Sequence, residues 1–214
     1  MQRPDAIFFD LDGTIVDSRL PFATSVNLAL AAHGQPTREP EQLYRYLGPP
    51  AHTTFSELLG CDGPPVQAVI DTYRHEYSRI ADAQTTVFDG VELALRNLHP
   101  RLRLAIATSK VITAAEQVLA SMGLRDLFEV VLGPSPEAVN ESKGVTIGRT
   151  LELLGHPERA VMVGDRSFDV EGAALHGIPT IGVLWGSGSE DELREAGAAA
   201  LAPTPGDIAR LLGF

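Results

Sequence analysis

The chain has one cysteine, Cys61, among 214 residues, so no disulfide can form within it. A lone thiol fits a reducing compartment, and we expect a cytoplasmic protein in which Cys61 is inert. No apolar run reaches the roughly 18 residues of a membrane span, and no basic-then-apolar signal segment follows Met1. Positive charge is also scarce. Seventeen Lys and Arg face 28 Asp and Glu, for a net charge of −11. Such a surface repels nucleic-acid backbones and offers no basic stripe, which excludes a nucleic-acid polymer as partner. The histidines His33, His52, His75, His99, His156 and His176 show no zinc-ligand spacing. Gly186-Ser-Gly188 lacks the third glycine of a dinucleotide fingerprint, and there is no P-loop.

What is there is concentrated in Ala6–Thr14, Ala-Ile-Phe-Phe-Asp-Leu-Asp-Gly-Thr. An apolar run entering Asp10, with Asp12 at i+2 and Gly13 breaking the pattern, predicts a buried parallel strand that opens into a loop. Ligands of open α/β sheets bind beyond the carboxyl ends of the strands, where both acids would lie. Two carboxylates so close repel each other, so the site should hold a cation, share a proton, or both.

Downstream, Asp17-Ser18 can cap a helix running to about Ala32. Residues 35–83 are punctuated by Pro36, Pro40, Pro49, Pro50, Pro64 and Pro65. Short helices are expected there at Glu41–Leu47, His52–Leu59 and Val66–Ile80, with no strand. Strand and helix then alternate. Strands are expected at Leu102–Ala107, Phe128–Leu132, Ala160–Val163, Thr180–Trp185 and near Ala199–Leu201, with helices Gly90–Leu98, Val111–Met122, Gly144–Leu154, Ser167–His176, Glu190–Ala196 and Asp207–Leu212 between and after them. Repeated βα units imply an α/β fold with a doubly wound, mostly parallel, Rossmann-like sheet. The expected division is a core of residues 1–16 and 84–214 and an inserted all-helical cap of residues 17–83.

Each main strand ends in polar groups: Asp10 and Asp12; Thr108-Ser109-Lys110; Gly164-Asp165 with Asp169 four residues on. Lys143 starts a helix nearby. Four carboxylates, a hydroxyl and an ammonium group in one crevice suit Mg²⁺-assisted phosphoryl transfer, because Mg²⁺ takes few carboxylates alongside water and phosphate oxygens. An Asp can serve as nucleophile and a second carboxyl as acid and base. Taken singly, Thr108 could be a capping hydroxyl, Lys143 a solvated lysine, and Asp165 and Asp169 acids favoured at a helix N-terminus.

Asp10-Leu-Asp-Gly-Thr14, Thr108, Lys143 and Gly164-Asp165-x-x-x-Asp169 resemble, in order, the four motifs of the haloacid dehalogenase-like phosphohydrolase superfamily. The resemblance implies that Asp10 is the nucleophile and Asp12 the general acid/base. It implies that Thr108 and Lys143 hold the phosphoryl group, with Ser109 and Gly13 beside them. Asp165 would bind Mg²⁺ with Asp10 and the Asp12 carbonyl, and Asp169 would orient the metal shell or Lys143. The helical block resembles that family's cap; its positive groups Arg45 and Arg74 are expected either to meet an anionic substrate or to be solvated surface residues. Related dehalogenases lack an acid at the Asp12 position, so Asp12 favours phosphatase or phosphomutase chemistry. Gly48-Pro49-Pro50, Asp165-Arg166 and Gly182–Gly186 are similar to phosphoglycolate phosphatases and the 5′-nucleotidase-like group. The family's third motif often reads Lys-Pro, whereas Lys143 precedes Gly144 and follows the loop Gly133–Asn140; Lys110 is the alternative lysine.

The function expected is hydrolysis of a small phosphorylated metabolite, phosphoglycolate or a 5′-nucleotide, through an aspartyl-phosphate. A phosphomutase, or an idle binding protein on the same fold, is the alternative. The chain is expected to act as a monomer or homodimer.

Overall fold

Four consecutive residues at the start of the chain, Ala6–Phe9, are at most 1% exposed, which requires cover on both faces. The computed structural model, which describes residues 3–138 and 141–214, shows how that cover is built. In chain order the elements are β1 (Ala6–Phe9), β2 (Val16–Asp17), α1 (Arg19–Ala32), α2 (Pro40–Leu43), α3 (Ala51–Leu59), α4 (Pro64–Gln84), β3 (Thr86–Val87), α5 (Val91–Leu98), β4 (Arg103–Ala107), α6 (Ile112–Ser121), β5 (Val130–Leu132), α7 (Lys143–Leu153), β6 (Ala160–Gly164), α8 (Ser167–Ala174), β7 (Thr180–Val183), α9 (Glu190–Glu195), β8 (Ala200–Ala202) and α10 (Pro205–Leu211). Two residues of the loop before Lys143, Val139 and Asn140, lie outside the described residues.

The strands form a six-stranded sheet in the order β5-β4-β1-β6-β7-β8, parallel throughout. Side chains of β1 alternate between its faces. Ile7 and Phe9 pack with α5, α6 and α10, whereas Ala6 and Phe8 pack with α7 and α8. The doubly wound α/β reading therefore holds, and β1 sits at the centre. The chain leaves β1 for one side of the sheet and later returns to its other side through β6. That switch point leaves a crevice at the carboxyl end of β1.

A separate hydrophobic cluster is drawn from residues 22–81 alone, among them Phe22, Val26 and Leu30 of α1, Phe55 of α3, and Val66, Ile70 and Tyr77 of α4. The chain enters and leaves this helical region through β2 and β3, an antiparallel pair with Val16 opposite Val87 and Asp17 opposite Thr86. The sequence did not predict this ribbon, because two-residue strands carry no periodicity. Other departures are local. Glu41–Leu47 is not one helix but α2 followed by a 3₁₀ turn at Tyr44–Tyr46. Helix α4 runs four residues beyond Ile80.

Candidate functional site

Asp10 leaves β1 with its backbone N–H donating to Val163 O of the neighbouring β6, at 2.9 Å. That pairing sets Asp10 beside Asp165, which follows β6 directly. Asp169 lies one turn into α8. One carboxylate oxygen from each of these three buried acids lies within 4.8 Å of the other two. The Lys143 Nζ, at the start of α7, reaches Asp10 Oδ1 at 2.7 Å and Asp169 Oδ1 at 2.8 Å. It meets Asp10 Oδ1 at ion-pair distance without hydrogen-bond alignment, so that buried oxygen has no aligned donor among the described residues. Of the two lysines weighed from the sequence, Lys143 is the one beside Asp10.

Electrostatics follow from the crowding. Burial, reinforced by the charges of Asp169 and Asp10, pushes the Asp165 carboxyl up to about 8. Burial also pushes Asp10 up to about 6, against the pull of Lys143. Burial disfavours the Lys143 ammonium, but Asp10 and Asp169 outweigh it and hold its pKa above the ordinary lysine value. Three buried carboxylates, two of them paired with one ammonium group, are a hard-oxygen set with surplus negative charge, and they fit a divalent cation.

Glycines make room for the acids. Gly13 has φ +86, and a Cβ there would stand 2.3 Å from Asp165 Oδ2. A Cβ on Gly164 would meet Asp169 at 2.2 Å, and one on Gly186 would meet Asp165 at 2.4 Å. Asp165 is fixed by the Ser187 N–H, which donates to Oδ2 at 2.7 Å, and by Thr14 Oγ1, which donates to Oδ1 at 3.3 Å. Asp169 caps α8 as well, accepting from the Arg166 N–H at 3.1 Å. The simple N-terminal role and a place in the acid trio therefore coexist in one residue.

The side chain of Asp12 stands apart from the trio. Ser18 Oγ donates to its Oδ1 at 2.5 Å, and Lys110 Nζ donates to both oxygens at 3.0 and 2.9 Å. Ser18 thus occupies the cap position of α1 but spends its hydroxyl on Asp12. Lys110 also donates to Tyr77 Oη of α4 at 2.8 Å. Sequence reading had no means of finding Tyr77, since nothing local marks it.

A cavity of about 580 Å³ opens from Asp10, Asp12, Thr108, Ser109 and Lys110 into the helical region, where His52 and Arg74 join its wall. Arg45 does not. Its guanidinium donates to Tyr46 Oη at 2.6 Å and lies 3.7 Å from Glu57, outside the lining residues. Its carbonyl, with that of Leu47, instead accepts from Arg166 Nη1. Arg166 also pairs with Glu192 at 2.9 Å, so the residue after Asp165 ties the helical region to the core. Trp185 packs against the core and donates from Nε1 to Thr14 O at 3.0 Å.

A doubly wound sheet with acids gathered at its switch point places a candidate metal site where open α/β sheets bind their ligands. A family model described as haloacid dehalogenase-like hydrolase matches residues 7–183, and the chain belongs to that family. It is 40% identical over 192 residues to a Mycobacterium tuberculosis protein named tyrosine-protein kinase PtkA, covering 89% of this chain and 65% of that one. The chain therefore spans somewhat less than two thirds of that relative. It is 33% identical over 190 residues to a Pseudomonas aeruginosa 5′-nucleotidase, covering 88% of this chain and 86% of the other. The solved structure of a predicted phosphatase from Clostridium acetobutylicum superposes with a TM-score of 0.94 at 30% identity, over 99% of both chains. No helix among the described residues is long and apolar enough to cross a membrane.

Proposed function

We propose that the chain is a Mg²⁺-dependent phosphomonoester hydrolase that works through an aspartyl-phosphate on Asp10. The observation that carries this reading is the trio Asp10, Asp165 and Asp169 with Lys143 between two of its members. A carboxylate beside an ammonium group is held ready as a nucleophile. An Asp10 oxygen attacks phosphorus, the bond from phosphorus to the ester oxygen breaks, and Asp12 in its protonated form supplies the proton to the leaving oxygen. Asp12 then takes a proton from water, whose oxygen attacks phosphorus and releases Asp10. Lys143, the hydroxyls of Thr108 and Ser109, and the Gly13 loop hold the phosphoryl oxygens. Bound Mg²⁺ would supply charge neutralisation for the phosphoryl group, held by Asp10 and Asp165 with Asp169 behind them, and by the Asp12 carbonyl. The substrate is a small phosphorylated metabolite, and the helical residues 17–83 act as a cap that excludes water during the reaction.

Phosphate release from a panel of monoesters, with Mg²⁺ and with EDTA, tests this beside Asp10→Asn. Metal-dependent release that the variant lacks supports the reading. Absence of release from any ester by folded protein overturns it.

A second reading comes from the name of the mycobacterial relative. A tyrosine hydroxyl in place of water would accept the phosphoryl group from Asp10. Radiolabel passing from a nucleoside triphosphate to tyrosine, without free phosphate, would select it.

A further inference from the structure

Two lysines stand beside the acids that follow β1, and they differ in what they have left to give. Lys143 pairs with Asp10 and Asp169. Lys110, in the loop between β4 and α6, is committed elsewhere. An ammonium group carries three hydrogens. Those of Lys110 meet three acceptors: Asp12 Oδ1 at 3.0 Å, Asp12 Oδ2 at 2.9 Å and Tyr77 Oη at 2.8 Å. None is left over for a phosphoryl oxygen, and the side chain is only 9% exposed. Any part Lys110 takes in the chemistry must run through Asp12.

The grip on Asp12 is built from several directions. The Lys110 N–H donates to Thr108 Oγ1 at 3.2 Å, which ties the lysine backbone to the end of β4. Its carbonyl lies so close to Gly133, just after β5, that a Cβ there would stand 2.1 Å from the oxygen. Only a residue without a side chain lets the loop sit there. On the other side, fully buried Ser18 donates from Oγ to Asp12 Oδ1 at 2.5 Å. A free aspartate turns readily about its last side-chain bond. With Ser18 on one oxygen and Lys110 across both, Asp12 cannot turn without breaking a charge-assisted bond. A group that must meet first an ester oxygen and then a water gains from such a fixed heading.

We propose that Lys110 is a positioning residue for Asp12, holding both carboxyl oxygens so that the proton reaches the leaving oxygen from a set direction. This rests on the phosphohydrolase reading and adds a residue to it. Lys110 neither gives nor takes a proton. The proton passes from Asp12 to the leaving oxygen and is replaced from the attacking water. While Asp12 carries it, the other carboxyl oxygen still accepts from Lys110.

Turnover of phenyl phosphate and 2,4-dinitrophenyl phosphate, with Mg²⁺, is compared in the parent, Lys110→Met, Asp12→Asn and the double variant. Dinitrophenolate leaves without a proton, whereas phenolate needs one, and kcat/KM reports the barrier up to that departure. Lys110→Met should lower kcat/KM for phenyl phosphate at least about tenfold more than for the dinitrophenyl ester. Lost packing or lost stability would lower both alike. In the Asp12→Asn background the same substitution should cost less than about threefold on either ester, because the two residues act as one unit. The double variant strands no buried charge, so this comparison stands even where Lys110→Met alone unfolds. Equal loss on both esters, or no loss on either, would overturn the role. So would a full further loss in the double variant, which would put Lys110 on the phosphoryl group itself. Folded parent that hydrolyses neither ester would instead remove the phosphohydrolase reading, and this role with it.

Discussion

Lys110 Nζ donates to Tyr77 Oη at 2.8 Å while it holds both oxygens of Asp12, so one ammonium group joins the loop after β4 to helix α4. Burial alone would lower its pKa, but Asp12 and Tyr77 outweigh burial and raise it above the ordinary value. Lys110→Met would leave the nearly buried Asp12 without its counter-charge. The expected loss is about 3 kcal/mol, or about 6–12 °C in Tm, readable by thermal melts. Tyr77→Phe removes only the hydroxyl on the α4 side. Its kcat/KM should fall about tenfold with little change in Tm, as expected for a hydrogen bond to the charged group that positions Asp12.

Gly13→Ala should disable the site while leaving the fold largely intact. The backbone at φ +86 disfavours any side chain, and the new methyl group would drive into Asp165. Since Asp165 is a metal-ligand candidate, the variant should lose Mg²⁺ affinity by at least about tenfold, the effect seen when the support of a ligand is disturbed. Calorimetric titration with Mg²⁺ measures it directly.

The acid trio also fixes a pH dependence. Asp10 and Asp165 titrate at about 6 and about 8 in the folded chain, against 3.8 for an ordinary aspartate. Between those values the folded state holds protons that the unfolded chain has released, so stability falls as pH rises from about 4 and levels off above about 8. Metal-free protein should therefore show a contribution from these groups that lowers Tm across that window. Cations and protons compete for the same oxygens, so Mg²⁺ should raise Tm more at about pH 8 than at about pH 5. Scanning fluorimetry at both values, with and without EDTA, checks the sign.

Arg166 supplies a second tie, from its guanidinium to the carbonyls of Arg45 and Leu47. Arg166→Leu should release the turn that precedes Gly48-Pro49-Pro50. Limited proteolysis should then cut near that turn faster than in the parent, and KM should rise more than kcat falls.

The parallel sheet was legible because its central strands are short, wholly buried apolar runs, and each hands over to a polar group at the same end. Asp10, Asp165 and Asp169 converge because β1 and β6 are register partners, and Lys143 joins them from the start of α7, which packs against α8. The link from Lys110 to Tyr77 was not legible: the residues lie 33 positions apart, and neither carries a local mark of the other. Arg45 shows the opposite limit. Its place in the helical block made a substrate contact reasonable, but an adjacent tyrosine hydroxyl and Glu57 claim the guanidinium locally. The ribbon of β2 and β3 is too short for any alternation to register.

Asp165 and Arg166 are adjacent in the chain, yet one belongs to the acid trio and the other grips the carbonyls of Arg45 and Leu47. A cation that steadies Asp165 also steadies the base from which Arg166 reaches. On the proposed reading, cation affinity and seating of the helical region would be two readings of one coupling free energy, and such coupling is reciprocal. Under that proposal, whatever factor bound Mg²⁺ adds to the seating of residues 17–83, a ligand that favours the same seating would return to Mg²⁺.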